Sequence, residues 1–230
     1  VDEKPKSIAA EAYRTLRTNI QYSSFDEEIR TIVVTSSEPV EGKSTTAGNI
    51  AISFAQAAKK TVIIDCDLRK PSLHKKFKIS NIGGLSDILI GKEKIDDVIH
   101  NFNEELDVIT SGKLPPNPAE MLGSRTMERL LVALKERYDI IILDTAPLQA
   151  VTDAQILSTK SDGIILVVRA HATKRESVIQ AKGLIEKVGG KILGTVLNGV
   201  ENTRGKYYYY YGTGEDGTRE KRKSSHRRTR

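Results

Sequence analysis

The chain has 230 residues, a formal net charge of +6 and one cysteine, Cys66. A single cysteine excludes an internal disulfide, the absence of a Cys/His cluster argues against structural zinc, and no apolar run reaches the ~20 residues that span a bilayer. These features favour a protein of the reducing cytoplasm, with one large α/β domain and tails.

The first predicted element is a helix over residues 7–22. Glu11, Arg14 and Arg17 recur in it at every third position, which places them on one stripe of the helix. The simplest interpretation of this stripe is a solvated face with an i, i+3 ion pair. We assign residues 1–24 to an N-terminal helical segment.

A predicted strand over residues 31–35 leads into the sequence Thr-Ser-Ser-Glu-Pro-Val-Glu-Gly-Lys-Ser-Thr, and a predicted helix follows from residue 45. This order places backbone N–H groups and the positive end of the helix dipole around a phosphate. Gly42 allows close approach of the backbone, Lys43 reaches the β and γ phosphates, and the Ser44 hydroxyl suits Mg²⁺. The segment therefore predicts a nucleoside triphosphate site.

The motif departs from the pattern G-x-x-x-x-G-K-[ST], because Ser37 stands where the first glycine belongs. A Gly-Lys-Ser tripeptide is commonly only a turn followed by a solvated lysine. The apolar strand before the loop and the helix after it supply the context that the phosphate motif requires, so nucleotide binding is the favoured interpretation. Glu41 and Thr45, on either side of the tripeptide, complete the predicted nucleotide contacts.

Apolar runs alternate with helical patterns along the rest of the chain. Most of the runs are continuous in Val, Ile and Leu, as in strands that are covered on both faces. Repeated strand–helix units predict an α/β fold with a doubly wound, mostly parallel sheet that binds ligands at the carboxyl ends of its strands. The further predicted strands cover residues 61–65, 106–110, 139–144, 163–169 and 192–197, and the further predicted helices cover residues 45–58, 119–137, 153–160 and 174–188.

Two of these strands run directly into acidic residues. Asp65 and Asp67 follow the apolar run of the second strand, and Asp144 ends the strand before Thr-Ala-Pro. Carboxylates there converge on the region where the phosphate loop opens, where they can hold Mg²⁺ through its waters and help to activate a nucleophile. An aspartate after a strand is also a common helix cap. Two acidic strand ends at the same edge of the sheet as a Gly-Lys-Ser loop favour a metal site over two helix caps.

The C-terminal part of the chain cannot build a core. Residues 219–230 hold seven Lys/Arg and one Glu, which leaves the rest of the chain with 29 basic and 29 acidic groups. A basic tail can bind nucleic acid or an anionic membrane, but a solvated terminus is the simpler interpretation, so we expect no specific nucleic acid partner. The tail also contains an uninterrupted run of tyrosines, namely Tyr207, Tyr208, Tyr209, Tyr210 and Tyr211.

Together these segments resemble the bacterial tyrosine kinases of capsule and exopolysaccharide export, in their split, Gram-positive form. The phosphate loop at residues 36–44, Asp-x-Asp-x-Arg at residues 65–69 and Asp-Thr-x-Pro at residues 144–147 are similar to the three nucleotide motifs of that family in order and spacing. The tyrosine run is similar to its C-terminal autophosphorylation cluster, and the stripe on the first helix is similar to its subunit-contact motif. The resemblance covers essentially the whole chain.

The resemblance implies phosphoryl transfer from Mg-ATP to protein tyrosine, on a P-loop NTPase fold. Lys43 and the loop amides would hold the β and γ phosphates. Ser44, Asp65 and Asp144 would hold Mg²⁺, and Asp67 would orient or deprotonate the attacking hydroxyl. These roles require positioning and neutralisation of charge more than covalent chemistry.

The resemblance also implies a domain organisation and partners. Residues 1–24 would contribute to a ring-like, trans-autophosphorylating homo-oligomer, residues 25–205 would form the kinase domain and residues 206–230 a flexible tail. A separate transmembrane protein would activate the kinase at the inner, cytoplasmic face of the membrane, and other proteins would offer further tyrosine substrates. Asn198, after the last strand, would touch the adenine, although an ordinary turn asparagine fits that position equally well.

Two positions depart from the family pattern, which usually has glycine at Val40 and a second proline at Ala146. Valine lacks the freedom of glycine to take a positive φ, so we expect either a negative φ at Val40 or weaker nucleotide binding. Neither departure removes a functional group that the predicted chemistry needs.

Two other functions fit parts of this sequence. An ATP-driven switch of the ParA/MinD kind shares the sheet and the aspartates, but its loop normally carries an additional lysine near the start, where Ser36, Ser37 and Glu38 stand here. The tyrosine run has no place in such a switch. A module that binds ATP without turnover is the third interpretation, and Val40 is its only support.

Overall fold

The computed structural model describes residues 1–2, 4–24 and 28–200, and in this part of the chain seven strands form one sheet. The order across the sheet is β3-β4-β2-β5-β1-β6-β7, and every pairing is parallel except the antiparallel pair β3–β4. The strands are β1 Thr31–Ser36, β2 Thr61–Asp65, β3 Ile99–Asn103, β4 Leu106–Ile109, β5 Ile140–Asp144, β6 Gly163–Arg169 and β7 Ile192–Asn198.

The continuous apolar runs form the centre of the sheet, as the sequence predicts. Every residue of β1, β2 and β5 is buried, because helices cover both faces of these strands. Each predicted strand is present, with ends within one residue of those expected. The edge strand β3 was not predicted, because its sequence Ile-His-Asn-Phe-Asn is only partly buried and has no continuous apolar run.

Nine helices lie in the described residues. The predicted helix over residues 119–137 is two helices, since Ser124 ends the first in an extended conformation and caps the second by accepting a hydrogen bond from Met127 N at 3.2 Å. Three short helices, over residues 73–77, 85–89 and 95–98, were not predicted. The helices are α1 Ile8–Gln21, α2 Lys43–Ala55, α3 Leu73–Phe77, α4 Leu85–Leu89, α5 Ile95–Val98, α6 Pro118–Gly123, α7 Arg125–Lys135, α8 Asp153–Ser158 and α9 Arg175–Lys187.

The core has two layers, one on each face of the sheet. Alternate residues of each strand point to opposite faces, so Val33 and Ile64 belong to one apolar cluster and Ile32 and Ile63 to the other. The first cluster packs against α4 to α9, and the second packs against α1, α2 and α3. This doubly wound arrangement leaves the carboxyl edge of the sheet for loops.

The helix α1 packs against α2. Ala10 and Ile20 of α1 are buried, and Arg17 donates a hydrogen bond to Ser53 O on α2 at 2.6 Å. Val1–Gly199 cluster as one compact unit, so α1 belongs to the same unit as the sheet. Of the helices in the described ranges, none has the length and apolar character needed to cross a membrane.

Candidate functional site

Three loops meet at the carboxyl edge of the sheet, in its middle. The strands β1, β5 and β2 are neighbours, and the register pairs Val34 with Asp144 and Asp144 with Asp65. The residues that follow these strands therefore share one edge, as parallel strands require. The structure brings Lys43, Asp65, Asp67 and Asp144 together there, as predicted.

The phosphate loop turns sharply into α2 at Gly42. This residue has φ +95°, and a Cβ on it would lie 2.0 Å from the Asn198 side-chain nitrogen, so only glycine fits. The helix α2 begins at Lys43, two residues earlier than predicted, and its first turn includes the buried Ser44 and the exposed Thr45. The N-terminus of α2 is therefore part of the loop, as an anion site requires.

Lys43 lies between two carboxylates. Its Nζ donates to Asp67 Oδ2 at 3.0 Å and lies 3.9 Å from Asp144 Oδ1 and 3.3 Å from Ser44 Oγ. Burial lowers the pKa of Lys43, but the charges of Asp144 and Asp67 outweigh burial, and the net shift of the pKa is upward. The lysine is therefore held as a cation in the site.

Asp65 is fully engaged by backbone N–H groups. Its Oδ2 accepts hydrogen bonds from Ser72 N and Leu73 N, each at 2.9 Å, and its Oδ1 accepts from Asp67 N at 3.2 Å. Burial raises the pKa of Asp65 to about 6, and the two amides at α3 act in the opposite direction. The helix-cap alternative thus describes much of what this carboxylate does.

Asp144 is buried without such partners. Neither carboxylate oxygen has a hydrogen-bond partner among the described residues, and its side chain is 0% exposed. Burial raises the pKa of Asp144 to about 7, against the opposing charge of Lys43. A buried carboxylate that accepts no hydrogen bond, and whose nearest cation is Lys43 Nζ at 3.9 Å, is costly unless a further cation binds to it.

This unpaired carboxylate fits a magnesium site. Mg²⁺ is usually held by one or two protein oxygens together with waters and substrate phosphates, and Ser44 and Asp144 can supply such oxygens. Within the described ranges no group of three or more His, Cys, Asp or Glu side chains is arranged to hold a metal ion. Direct coordination by Asp65 stays a prediction, since its oxygens already accept backbone hydrogen bonds.

Asp67 is held in place from two sides. Its Oδ1 accepts from Lys70 N at 2.9 Å, while its Oδ2 accepts from Lys43. The same turn is fixed by Arg69, which donates from Nε and a terminal nitrogen to the buried Asp153 at 3.0 and 3.2 Å. Sequence reasoning missed Asp153, because an aspartate at the start of a predicted helix is commonly only a cap.

Glu41 is a buried part of the loop. Its carboxylate accepts from Ser37 Oγ at 3.1 and 3.2 Å, from Glu38 N at 3.0 Å and from Thr173 Oγ1. Asn198 donates from Nδ2 to Glu41 O at 3.0 Å, so its side chain holds the loop backbone. A contact of Asn198 with adenine, and direct contacts of Glu41 and Thr45 with nucleotide, stay predictions.

Val40 has a left-handed backbone conformation, which glycine adopts more readily than valine. Its φ is +67°, so the first of the two expected alternatives, a negative φ, is wrong, and the second, weaker nucleotide binding, stays a prediction. A β-branched residue in the left-handed region costs about 1–3 kcal/mol and persists only where the surroundings fix it. The contacts around Val40 must therefore hold it in this conformation.

The three residues of the α1 stripe differ in their contacts. Glu11 and Arg14 form an ion pair, and Arg14 also donates to Pro5 O at 2.7 Å. Arg17 instead donates to the α2 backbone, so it contributes to packing within the chain. The predicted phosphorylation residues 207–211 lie outside the described residues.

The comparisons with known proteins agree with this geometry. A family model described as "AAA domain" matches residues 29–193. The tyrosine-protein kinase YwqD of Bacillus subtilis is 44% identical over 91% of this chain and 89% of its own length. In the kinase domain of the Escherichia coli tyrosine kinase ETK the identity is 36%, over 91% of this chain and 82% of that one, with a TM-score of 0.84.

Two further solved structures bear on the alternatives. The chimerical protein CapA2B2 is 42% identical, with a TM-score of 0.82, and the match covers 86% of this chain and 87% of that chain. The septum site-determining protein MinD from Pyrococcus horikoshii, solved with Mg-ADP, is 23% identical over 73% of this chain and 69% of its own, with a TM-score of 0.62. At 23% identity, the similarity to MinD shows only that the two proteins share a fold.

Proposed function

Because the chain belongs to the bacterial tyrosine-protein kinases, we propose that it transfers the γ-phosphoryl group of Mg-ATP to tyrosines of the cluster at residues 207–211. The observation that carries this proposal is the position of Lys43, 3.0 Å from Asp67 and 3.9 Å from Asp144. A cation that can neutralise a transferring phosphoryl group lies beside one carboxylate suited to the metal and one suited to the attacking hydroxyl.

The loop and α2 bind the nucleotide phosphates in this mechanism. Gly42 brings the backbone close, and the N–H groups of the first turn of α2 donate to the anion. Ser44 and Asp144 would hold Mg²⁺, which when bound neutralises charge on the transferring group. Asp65 would also act through its hydrogen bonds, which fix the turn that carries Asp67.

Asp67 orients or deprotonates the acceptor hydroxyl. Its Oδ1 is fixed by Lys70 N, and its Oδ2 is paired with Lys43. When Lys43 turns to the β and γ phosphates, Oδ2 loses that partner and is left to accept the hydrogen of a tyrosine hydroxyl. Nucleotide binding thereby prepares the base for its acceptor.

The proposal extends to the assembly. A homo-oligomer would present the tail of one subunit to the site of its neighbour, with the ion-paired Glu11 and Arg14 on α1 as part of the subunit contact. A separate membrane protein would recruit the kinase to the inner, cytoplasmic face of the membrane, in capsule or exopolysaccharide synthesis. Support for a second polypeptide comes from the chimerical relative CapA2B2, which matches over most of this chain.

Mass spectrometry of the purified protein with and without Mg-ATP tests the reaction. We expect phosphate on the tyrosines at residues 207–211, and none in a Lys43→Met variant, which keeps the length of the side chain and removes its charge. Circular dichroism serves as the control for folding. Consumption of ATP by the wild type without phosphotyrosine would favour a ParA/MinD-like switch, and labelling of Lys43→Met within threefold of wild type would contradict the role of the loop.

Light scattering tests the assembly. Replacing Glu11 and Arg14 with Ala should favour monomers, and Arg17 is left intact because it holds α2. Phosphorylation of the tyrosine cluster should also favour monomers, since each phosphate adds roughly −1.5 to −2 charges at neutral pH. A variant with all five cluster tyrosines changed to Phe is the control. An unchanged mass in both comparisons would reject this part of the proposal.

A further inference from the structure

Val40 keeps a left-handed backbone without help from its own side chain. Its φ is +67° and its side chain is 83% exposed, so no burial of its methyl groups offsets the steric cost of this conformation. A valine with nothing to hold it would move to a negative φ. Something outside the residue must therefore fix the loop here.

The residue after Val40 is fixed at both its carboxylate and its carbonyl. The Glu41 carboxylate accepts from Thr173, on the connection between β6 and α9, and the Glu41 carbonyl accepts from Asn198 at the end of β7 at 3.0 Å. These partners lie more than 130 residues further along the chain. The contacts therefore tie the loop between β1 and α2 to the β6–α9 connection and to the end of β7.

The carbonyl of Val40 itself is also held. Arg169, at the end of β6, donates from a terminal nitrogen to Val40 O at 3.3 Å, and its backbone N donates to Thr173 Oγ1 at 3.0 Å. One hydroxyl thus links the β6 backbone to the Glu41 carboxylate. We call Glu41, Arg169, Thr173 and Asn198 the loop brace.

We propose that the loop brace holds Val40 in its left-handed conformation and so keeps the N–H groups of the loop turned toward the nucleotide phosphates. Positive φ values at Val40 and Gly42 shape the loop as a concave anion site, and they are compatible with valine only while the brace is intact. Arg169 and Thr173 are positioning residues, since they act through the loop. The inference rests on the nucleotide site of the proposed function.

The test is a cycle of variants. Arg169→Met with Thr173→Val removes the brace contacts of these side chains, and Val40→Gly removes the residue that needs the brace. Mg-ADP affinity is measured by titration calorimetry for the wild type, the brace variant, Val40→Gly and their combination, with thermal unfolding of each protein without nucleotide. Arg175→Met, at an exposed arginine at the start of α9, is the matched control.

We expect the brace variant to bind Mg-ADP about tenfold more weakly, because the competent loop is then a minor state. Val40→Gly alone should change affinity by less than about threefold, and in the brace variant it should restore at least about fivefold, since glycine adopts the loop conformation unaided. A purely structural loss would show no such rescue. If the brace variant is unfolded at the assay temperature, Thr173→Val with and without Val40→Gly gives the same comparison.

Two results would overturn the inference. One is a folded brace variant that binds Mg-ADP within about threefold of the wild type. The other is a Val40→Gly substitution that changes Mg-ADP affinity by the same factor in the wild type and in the brace variant. A wild type that binds no Mg-ADP would instead reject the nucleotide site of the proposed function. The two failures are therefore distinguishable.

Discussion

The carboxyl ends of β2 and β5 look alike and behave differently. Asp65 and Asp144 end neighbouring strands, pair in register and are both fully buried. Three backbone N–H groups donate to the first carboxylate, while the second has no hydrogen-bond partner in the described part of the chain. Burial raises the pKa of both groups, to about 6 and about 7.

The difference separates a structural role from a ligand role. A carboxylate satisfied by amides stabilises the turn it faces, whereas a buried carboxylate that accepts no hydrogen bond lowers stability and is suited to a cation that would complete it. Burial and position at a strand end are common to both residues, so neither property identifies the ligand. The hydrogen-bond partners favour Asp144 as the residue that would bind the metal.

The largest expected effect is on magnesium-dependent activity. Asp144→Asn should lower phosphotransfer about 10³-fold or more, because it removes the unpaired oxygen charge that the metal needs. Asp65→Asn should lower phosphotransfer only about tenfold, since it disturbs only the turn. Its remaining activity should depend less on added Mg²⁺ than that of Asp144→Asn. Tyrosine labelling measured against Mg²⁺ concentration checks this contrast. Equal losses in the two variants would remove the distinction drawn above.

The next largest effect concerns Asp67, the third carboxylate of the site. Asp67→Asn should lower kcat by about 10²-fold and leave Mg-ADP affinity within about threefold, because it removes the group that orients the hydroxyl and keeps the phosphate cradle. Single-turnover labelling and titration calorimetry on the same preparation separate the two quantities. A loss of Mg-ADP affinity as large as the loss of kcat would place Asp67 with the metal ligands.

Stability should respond with opposite signs at the two strand ends. Asp65→Asn should lower the free energy of unfolding by about 1–3 kcal/mol, because an amide cannot accept from all three N–H groups. Asp144→Asn should leave it unchanged or raise it slightly, since the carboxylate accepts no hydrogen bond and the removal of a buried charge offsets the loss of the Lys43 Nζ contact at 3.9 Å. Urea unfolding without nucleotide measures both. Destabilisation of the protein by Asp144→Asn would show that its carboxylate has structural partners.

The smallest effect is a pH slope. The pKa of Asp144 is about 7 in the folded protein, above the value of about 4 of an ordinary aspartate, so between about pH 4 and 7 the folded state holds a proton that the unfolded state has lost. Its contribution to stability therefore falls as the pH rises through this window. Asp144→Asn should flatten the curve of unfolding free energy by about 1 kcal/mol from pH 6 to 7. Parallel curves for the two proteins would contradict the raised pKa.

Much of the fold follows from short segments of the sequence. The predicted strands are confirmed because runs such as residues 140–143 are apolar throughout, as in strands that are covered on both faces. The strand β3 and the break at Ser124 were missed, since an edge strand has a weak pattern and a cap hydrogen bond decides the end of a helix. The site was predicted in outline, through Lys43 and the two strand ends.

The sequence alone determined the order of the strands along the chain, the phosphate loop and the two acidic strand ends, because each depends on residues close together in the chain. Only the tertiary structure decided that Asp65 is satisfied and Asp144 is not, that Arg69 pairs with Asp153, and that Val40 has a positive φ. Burial and hydrogen-bond partners set these properties. In the Arg69–Asp153 pair and in the contacts between the phosphate loop and Arg169, Thr173 and Asn198, the partners are 84 to 157 residues apart, a separation that no local pattern records.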